Sequence, residues 1–232
     1  MQAIVQAGGQ GVRLRPSTSI LPKPLLPLGD TPLIDVLLHG LTKVGFDDII
    51  IATGYKHNLV ESVVKQKKYT GVKIRFYQES QPLCTVGVLP MLRGLADNFL
   101  VVNADILTVL NFRRLLEYHV QSDKIMTVSV LQRKERIDLG IVQVGENSTV
   151  VDYVEKPVYH FTSNMGCYAF SKRIVAQIPK GKPMGIDDLI YVLLQDKQSI
   201  GAFMFAGYWR DCGRLSDFEE AVIDYQANPG IF

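Results

Sequence analysis

The chain has 232 residues, of which 47% are apolar, and 25 Lys and Arg residues against 23 Asp and Glu residues give a net charge of +2. This length and composition predict one globular domain, and the balanced charge does not support nucleic-acid or membrane binding by bulk electrostatics. No apolar run approaches the ~20 residues of a membrane span, and we expect no signal peptide before the first predicted strand. Three widely spaced cysteines without C-x-x-C pairs are typical of a reducing compartment. We therefore expect a cytoplasmic protein.

Apolar runs alternate with amphipathic segments through the first half of the chain, as in a parallel sheet built from βα repeats. Strands are predicted at residues 3–5, 49–52, 72–77 and 99–102. Helices are predicted at residues 31–45, 58–67 and 111–120, the first opened by Thr31-Pro32 and closed by Gly45. This order predicts an α/β fold with a Rossmann-like, mostly parallel sheet flanked by helices.

The second half is richer in strands. They are predicted at residues 125–131, 141–144, 150–154, 165–170 and 202–205, and helices at residues 171–178, 187–194 and 216–225. No composition shift marks a linker, so we expect residues 1–232 to form a single domain. Its β-rich middle is expected to add a lid or a small sheet to the α/β core.

A glycine-rich turn follows the first predicted strand. Gly8, Gly9 and Gly11 allow close approach to a ligand, and consecutive backbone N–H groups in such a turn bind anions. Arg13 and Lys23 add two cations suited to a triphosphate. The dinucleotide-binding fingerprint does not fit, because Leu14 stands where its third glycine belongs, and no Gly-Lys-Ser/Thr completes a P-loop. A tight turn without a ligand is the alternative.

The longer string is more specific. It reads G-G-x-G-x-R-L-x-P from Gly8 to Pro16 and P-K-P-L-x-P-x-G from Pro22 to Gly29, and it resembles the signature of the sugar-1-phosphate nucleotidyltransferases, with a likeness to their mannose-1-phosphate guanylyltransferase members. The resemblance implies a GT-A-like nucleotidyltransferase fold with a β-rich sugar-binding insertion. It assigns residues 1–120 mainly to the nucleotide and residues 121–232 mainly to the sugar phosphate.

The nucleotide-binding residues implied by the resemblance lie in two segments. A second motif, Glu79 to Gly87, resembles the base-reading string E-x-x-P-L-G-T-A-G, with Cys84 in place of a glycine and Val86 in place of an alanine. Both departures are expected to add bulk near the base. The expected nucleotide site comprises Ala7, Gly8, Gly9, Gly11, Arg13, Lys23, Glu79, Pro82 and Gly87. Of these, Arg13 and Lys23 are expected to be catalytic.

Two aspartates are candidate metal ligands. Asp105 follows the strand at 99–102 and should share a sheet edge with the glycine turn, where a carboxylate suits Mg²⁺; a capping or loop aspartate is the alternative. Ala104 replaces a glycine that the family usually has. The string from Trp209 to Gly213 resembles W-x-D-x-G, which implies Asp211 as the second ligand.

The resemblance also implies a sugar-phosphate site. Glu155-Lys156-Pro157 matches E-K-P, and Asn164 begins a string similar to N-x-G-x-Y. Gly140 lies where the family has Y-G-V-V, although Leu139 replaces the aromatic residue. We expect Lys156 to hold the sugar phosphate, with Gly140, Glu155 and Asn164 beside the sugar.

The implied reaction is NTP plus sugar 1-phosphate giving NDP-sugar and pyrophosphate, with Mg²⁺ as cofactor. GTP is favoured because a carboxylate at Glu79 can accept hydrogen bonds from the guanine N1–H and amino groups, and the acceptor is expected to be a hexose or heptose 1-phosphate. Uridylyl, cytidylyl and thymidylyl transfer stay open, as do a non-catalytic regulatory subunit and a GT-A-like glycosyltransferase. No nucleic-acid or membrane partner is expected, and a homo-oligomer is possible.

Overall fold

The computed structural model describes residues 1–232. Its strands are β1 (Gln2–Ala7), β2 (Pro27–Leu28), β3 (Thr31–Pro32), β4 (Asp48–Thr53), β5 (Lys73–Gln78), β6 (Asn98–Asn103), β7 (Ile106–Thr108), β8 (Met126–Arg136), β9 (Ile141–Val144), β10 (Val150–Val154), β11 (Val158–Ser171), β12 (Ile200–Phe205) and β13 (Trp209–Asp211). Its α-helices are α1 (Ser17–Ile20), α2 (Leu33–Lys43), α3 (His57–Gln66), α4 (Cys84–Gly87), α5 (Phe112–Ser122), α6 (Ile186–Gln195) and α7 (Leu215–Ala227).

Seven strands form the central sheet, in the order β12-β8-β11-β6-β1-β4-β5. Only β11 is antiparallel to its two neighbours, and the other pairings in the sheet are parallel. The expected mostly parallel α/β architecture is confirmed. The chain leaves β1 for β4 on one side and returns to β6 on the other, so the carboxyl end of β1 is a topological switch point, where ligands bind in open α/β sheets.

Alternation along the buried strands divides the core into two layers. In β1, Ala3, Val5 and Ala7 point to one face of the sheet, where α2, α3 and α5 pack, whereas Ile4 points to the other face, which α6 covers. Helix α2 contributes Leu37 and Leu41, both nearly free of solvent exposure. Burying one such side chain stabilises the fold by about 2 kcal/mol, and this packing makes the sheet a rigid base for its loops.

The α2 start differs from the expectation. Thr31 and Pro32 form β3, which pairs with β2, and the helix begins at Leu33. The N–H of Leu33 donates to the carbonyl of Leu26 at 3.0 Å, so the preceding segment forms a turn instead of a cap. The helix ends as expected before Gly45, whose φ is +93°. Asn111 caps α5, as expected, by accepting from the N–H of Arg114 at 3.1 Å.

Strands β8 and β11 are much longer than expected. Beyond the central sheet they continue as a two-stranded ribbon that pairs Arg133 with Phe161 and Arg136 with Val158. The added segment 132–136 is charged and has no apolar alternation, which is why the sequence did not indicate a strand. Strands β9 and β10, predicted correctly, form a separate hairpin at the end of this ribbon. Among the helices, none has the length and apolarity needed to cross a bilayer.

Candidate active site

The glycine turn leaves the carboxyl end of β1 and is fixed by its neighbours. The carbonyl of Gly8 accepts the N–H of Tyr55 at 3.3 Å, and the carbonyl of Gly11 accepts the hydroxyl of Thr18 at 2.7 Å. Gly11 has a φ of +62°, in the left-handed region that favours glycine. Around Gly9, no atom lies within 4 Å of where a Cβ would stand, so the loop backbone is open to a ligand.

Arg13 reaches from this loop to the far side of the site. A Cβ built on Gly213 would stand 3.1 Å from the Arg13 Nη2 atom and 2.8 Å from Asp211 Oδ1. The guanidinium therefore lies beside the Asp211 carboxylate. The absence of a side chain at Gly213 leaves the space that Arg13 occupies, so Gly213 is a site residue that our sequence analysis did not single out.

Lys23 and Asp105 form an ion pair in the same place. Lys23 is 8% exposed and belongs to a short 3₁₀ turn, Lys23–Leu25, that brings its ammonium group to the sheet edge. Strands β7 and β13 pair Ile106 with Asp211, and the N–H of Cys212 donates to the Asp105 carbonyl at 2.8 Å. Two aspartates more than a hundred residues apart are thus brought together by strands three residues long, which the sequence analysis missed.

The two aspartates share a crowded, partly buried position. Burial raises the pKa of Asp211 above its ordinary value, the negative charge of Asp105 raises it further, and the charges of Lys23 and Arg13 oppose the shift. A bound cation would relieve the repulsion between the carboxylates. Hard oxygen donors suit Mg²⁺, which is commonly held by one or two carboxylates together with substrate phosphates. No cluster of three or more potential ligands is present, so this pair fits Mg²⁺ only in that shared manner.

A small cleft of about 290 Å³ lies on the β1, β4 and β5 side of this cluster and is lined by Gln6, Gly8, Gly9, Glu79, Pro82, Cys84 and Thr85. Glu79 is fixed at both ends. Its N–H donates to the Thr53 carbonyl at 2.7 Å, and its Oε2 accepts the N–H of Leu83 at 2.8 Å. Burial raises the pKa of the Glu79 carboxyl, against the lowering effect of the Leu83 hydrogen bond.

Two residues of the base-reading motif lie outside that cleft. Gly87 is buried and packs against the backbone of Lys182 and Met184, whose carbonyl accepts the Gly87 N–H at 3.2 Å. Val86 is fully buried in the same contact. Val86 therefore adds no bulk to the lining of this cleft, whereas Cys84 does line it. Ala7 ends β1 and is also buried.

A second, larger cleft of about 980 Å³ opens on the β6, β8 and β11 side, and Arg13, Asp105 and Asp211 line it. Asn164, from β11, also lines it. The Asn164 side-chain amide donates to the Tyr168 hydroxyl at 2.7 Å and accepts the N–H of Gly166 at 2.8 Å. These bonds hold the amide in a fixed orientation at the cleft wall.

The other sugar-site candidates are not brought to the cleft. Gly140, Glu155 and Lys156 are absent from its lining. Gly140 packs under the Tyr153 ring, and Glu155 accepts a hydrogen bond from the Tyr153 hydroxyl. Lys156 adopts a φ of +44° beside Glu155, with about half of its side chain exposed. All three sit near the β9–β10 hairpin, at the far end of the ribbon.

The ribbon supplies cleft residues that our sequence analysis did not identify, among them Arg133, Glu135 and Phe161. Arg133 lies 5.8 Å above the ring of Trp209, whose indole N–H donates to the Met165 carbonyl at 2.8 Å. This cation–π contact joins the ribbon to the strand that carries Asp211. No spacing rule could have found it, because it depends on the register of β8 against β11.

Comparison with known proteins bears on this geometry. The family model described as nucleotidyl transferase matches residues 2–228. The chain belongs to the nucleotidyl transferase family. It is 30% identical over 230 residues to a mannose-1-phosphate guanylyltransferase of Mycobacterium tuberculosis, and 31% identical over 233 residues to a mannose-1-phosphate guanylyltransferase catalytic subunit beta of Danio rerio. Each match covers 97% of this chain and 64% of the relative. The expected family is confirmed.

Solved structures of this nucleotidyl transferase fold superpose on the chain. HddC from Yersinia pseudotuberculosis does so with a TM-score of 0.76 at 24% identity, covering 97% of this chain and 99% of that one. A putative glucose-1-phosphate thymidylyltransferase from Bacillus anthracis, in complex with a sucrose, has a TM-score of 0.76 at 23% identity, covering 96% and 94%. At these identities the likeness concerns the fold, and the expected GT-A-like nucleotidyltransferase fold is confirmed.

Proposed function

We propose that the chain catalyses nucleotidyl transfer: an NTP and a sugar 1-phosphate react to give an NDP-sugar and pyrophosphate. The observation that carries this proposal is the cluster of Arg13, Lys23, Asp105 and Asp211. Three of the four line the larger cleft, and Arg13 follows the glycine turn whose residues line the smaller one. Such a layout suits a reaction that joins two phosphates, because both must meet at one cationic point. The guanylyltransferase relatives support the same reaction.

The chemical step needs no covalent enzyme intermediate. A phosphate oxygen of the sugar 1-phosphate attacks the α-phosphorus in line, and the bond from that phosphorus to pyrophosphate breaks. Catalysis then consists of positioning and charge neutralisation. Arg13, which lines the larger cleft, neutralises the leaving pyrophosphate, and Lys23 stabilises charge at the α-phosphate. When bound to Asp105 and Asp211, Mg²⁺ would supply further charge for the phosphate oxygens.

The nucleotide is assigned to the smaller cleft and the glycine turn. Gly8 and Gly9 line this cleft and, together with the adjoining Ala7 and Gly11, are proposed to present backbone to the phosphates, while Pro82 lines the part of the cleft assigned to the base. Gly87 is proposed to support this part of the cleft through its packing against the backbone of Lys182 and Met184. Residues 1–120 then form mainly the nucleotide half and residues 121–232 mainly the acceptor half.

Guanine is the base that Glu79 fits best. With Oε2 bonded to Leu83, the Oε1 atom lies 2.9 Å from where a Cβ on Gly8 would stand, so it faces the glycine turn. The N1–H and amino groups of guanine are two adjacent donors for a carboxylate. The structure of HddC in complex with GMP-PN has the same fold, and a mannose- or heptose-type 1-phosphate is the proposed acceptor.

The acceptor occupies the larger cleft, with its sugar against Asn164. Lys156, Glu155 and Gly140 are proposed to act on the sugar phosphate from the ribbon side, although they lie outside the cleft lining. The exposed position of Lys156 leaves its long side chain free to change direction. A lysine contact to a phosphate is worth about 1.5–3 kcal/mol.

A pyrophosphate-release panel tests this function. GTP, UTP, CTP and dTTP are each combined with mannose, glucose and heptose 1-phosphates in the presence of Mg²⁺. We expect the highest kcat/KM with GTP, and Glu79→Gln should lower it for GTP by about tenfold, which is one 1.4 kcal/mol interaction. Release of pyrophosphate with none of the pairs, while an NTP still binds, would indicate a regulatory subunit and contradict the proposal.

A further inference from the structure

Gln6 is the only residue with a side-chain amide in the lining of the smaller cleft. It lies next to the end of β1, pairs with Ala52 of β4, and is half-buried. Ile4, two residues earlier in the strand, and Ala52 both belong to the core layer that α6 covers, so the Gln6 side chain leaves the sheet on that face. The glycine-turn signature begins at Gly8 and does not include Gln6.

The segment that follows Glu79 fixes the orientation of the Gln6 amide. Its Nε2 atom donates to the Thr85 carbonyl at 2.7 Å. Thr85 is itself held in place, because the next two residues, Val86 and Gly87, donate their N–H groups to the Met184 carbonyl at 3.1 and 3.2 Å. With its nitrogen engaged, the amide directs Oε1 away from Thr85. This oxygen accepts no hydrogen bond within the chain and is not fully buried, so a donor in the cleft can reach it.

Glu79 supplies a second free acceptor on the same side. Its Oε2 is bonded to the N–H of Leu83, and its Oε1 lies 2.9 Å from where a Cβ on Gly8 would stand. Gly8 directly follows β1, two residues beyond Gln6, so the alternation of the strand puts both positions on one side of the sheet. One oxygen of Gln6 and one oxygen of Glu79 therefore remain for a ligand in the same cleft.

Two neighbouring acceptors match the hydrogen-bonding edge of guanine. Its N1–H and its 2-amino group are adjacent donors. Uracil and thymine have one N–H between two carbonyl oxygens, so a second acceptor would face an oxygen. In cytosine, the ring nitrogen beside the amino group is an acceptor and would oppose the Glu79 carboxylate. The pair of acceptors thus favours guanine and also disfavours its competitors.

We propose that Gln6 determines base specificity by accepting a hydrogen bond from the guanine 2-amino group through Oε1, while Glu79 accepts the N1–H. This inference rests on the proposed function, in which a guanine nucleotide occupies the smaller cleft. Because Nε2 is bonded to Thr85, Gln6 presents an acceptor and not a donor. A purine without the 2-amino group leaves that acceptor unpaired.

GTP and inosine triphosphate differ only in the 2-amino group, and together they test the proposal. In pyrophosphate release with one sugar 1-phosphate, the natural chain should have a kcat/KM about tenfold higher for GTP. Gln6→Met, which keeps the side-chain length and removes the amide, should lower the GTP value about tenfold and leave the inosine triphosphate value unchanged. If Gln6 only holds Thr85 in place, both values fall equally, and that result would overturn the proposal, as would equal values in the natural chain.

Gln2→Met is the matched control. Gln2 is the other glutamine of β1, on the same face of the sheet, and its amide donates to Asp48 Oδ2 at 2.7 Å and to the Gly94 carbonyl at 2.8 Å, away from the cleft. This variant should keep the tenfold preference for GTP. If Gln6→Met does not fold, Gln6→Glu retains an acceptor oxygen without the Nε2 donor and should still prefer GTP. Loss of the preference in Gln6→Glu would contradict the assignment.

The failure of this inference can be distinguished from the failure of the proposed function. If no pyrophosphate is released, calorimetry of the natural chain and of Gln6→Met with GTP and with inosine triphosphate measures the same tenfold difference as a ratio of Kd values. If GTP is a substrate and Gln6→Met keeps the full preference over inosine triphosphate, nucleotidyl transfer stands and the role of Gln6 is wrong.

Discussion

The two clefts are built in different ways. The smaller one lies on the carboxyl ends of β1, β4 and β5, three strands of the buried sheet, and its key carboxylate, Glu79, is tied to Thr53 and Leu83. The larger one is lined on one side by Arg133, Glu135 and Phe161 of the β8–β11 ribbon, which extends beyond the sheet and is exposed to water. The first cleft is therefore held by the core, whereas one wall of the second lies on a ribbon that extends beyond the sheet and contacts the strand of Asp211 through Arg133 and Trp209.

Removing the metal would affect the junction of the two clefts and should abolish activity. We expect EDTA to stop pyrophosphate release and added Mg²⁺ to restore it, because the paired carboxylates need a cation before phosphates can approach. Asp105→Asn and Asp211→Asn should each raise the Mg²⁺ concentration needed, as measured by titration. Asp30→Asn, at an exposed position, is the control. Full turnover in the presence of EDTA would contradict the assignment of Asp105 and Asp211 as metal ligands.

Substitution of Arg13 should lower kcat, whichever of the two substrates is varied in the assay. Arg13→Ala is expected to lower kcat by roughly 10²–10³, the cost of losing one transition-state donor. The fold should be unaffected, because Arg13 lies in an exposed loop turn. Arg15→Ala, two residues on and also exposed, is the matched control in the same steady-state assay. A loss within threefold of the control, which is below about 1 kcal/mol, would show that the role is misassigned.

Substitution of Lys156 should distinguish the substrates that the two clefts bind. Lys156→Ala should raise KM for the sugar phosphate by about 10–100-fold and leave NTP affinity unchanged, because a lysine-phosphate contact is worth about 1.5–3 kcal/mol. Calorimetry with the NTP alone and kinetics with the sugar phosphate measure the two effects, and Lys180→Ala is the exposed control. An equal loss of affinity for both ligands would mean that Lys156 does not act on the sugar phosphate alone.

The smallest effect concerns the core that supports both clefts. His119 is 1% exposed, its Nδ1 lies 2.9 Å from the Thr127 hydroxyl, and burial lowers its pKa to about 4. Because the unfolded chain takes up this proton near pH 6.5, lowering the pH from 7 to 5 should cost about 2 kcal/mol of unfolding free energy through this residue.

Urea unfolding at the two pH values measures that loss. His119→Gln should flatten the pH dependence, whereas His39→Asn, at an exposed position, should retain it. A pH dependence that is the same in His119→Gln as in the natural chain would show that this imidazole is not held neutral by the fold.

Prediction from sequence was most complete for elements whose structure is determined by residues that are neighbours in the chain. The strand that leads into Gly8 and the cap at Asn111 follow from apolar runs and turn chemistry, and the structure has both. The nearness of Asp105 and Asp211 came only from family resemblance, because β7 and β13 are too short to show a pattern. The charged segment 132–136 gave no strand signal, since its pairing is a tertiary effect that overrides local preference.

The exposed thiol of Cys84 tests the central claim most directly, namely that the nucleotide alone occupies the smaller cleft. Cys84 lines that cleft, and the other two cysteines, Cys167 and Cys212, are buried. The rate of alkylation at Cys84 is followed by mass spectrometry, with Cys84→Ser as the unlabelled control. GTP with Mg²⁺ should slow labelling at least tenfold, and a sugar 1-phosphate alone should leave the rate unchanged. Equal protection by the sugar phosphate, or none by any NTP, would contradict the account.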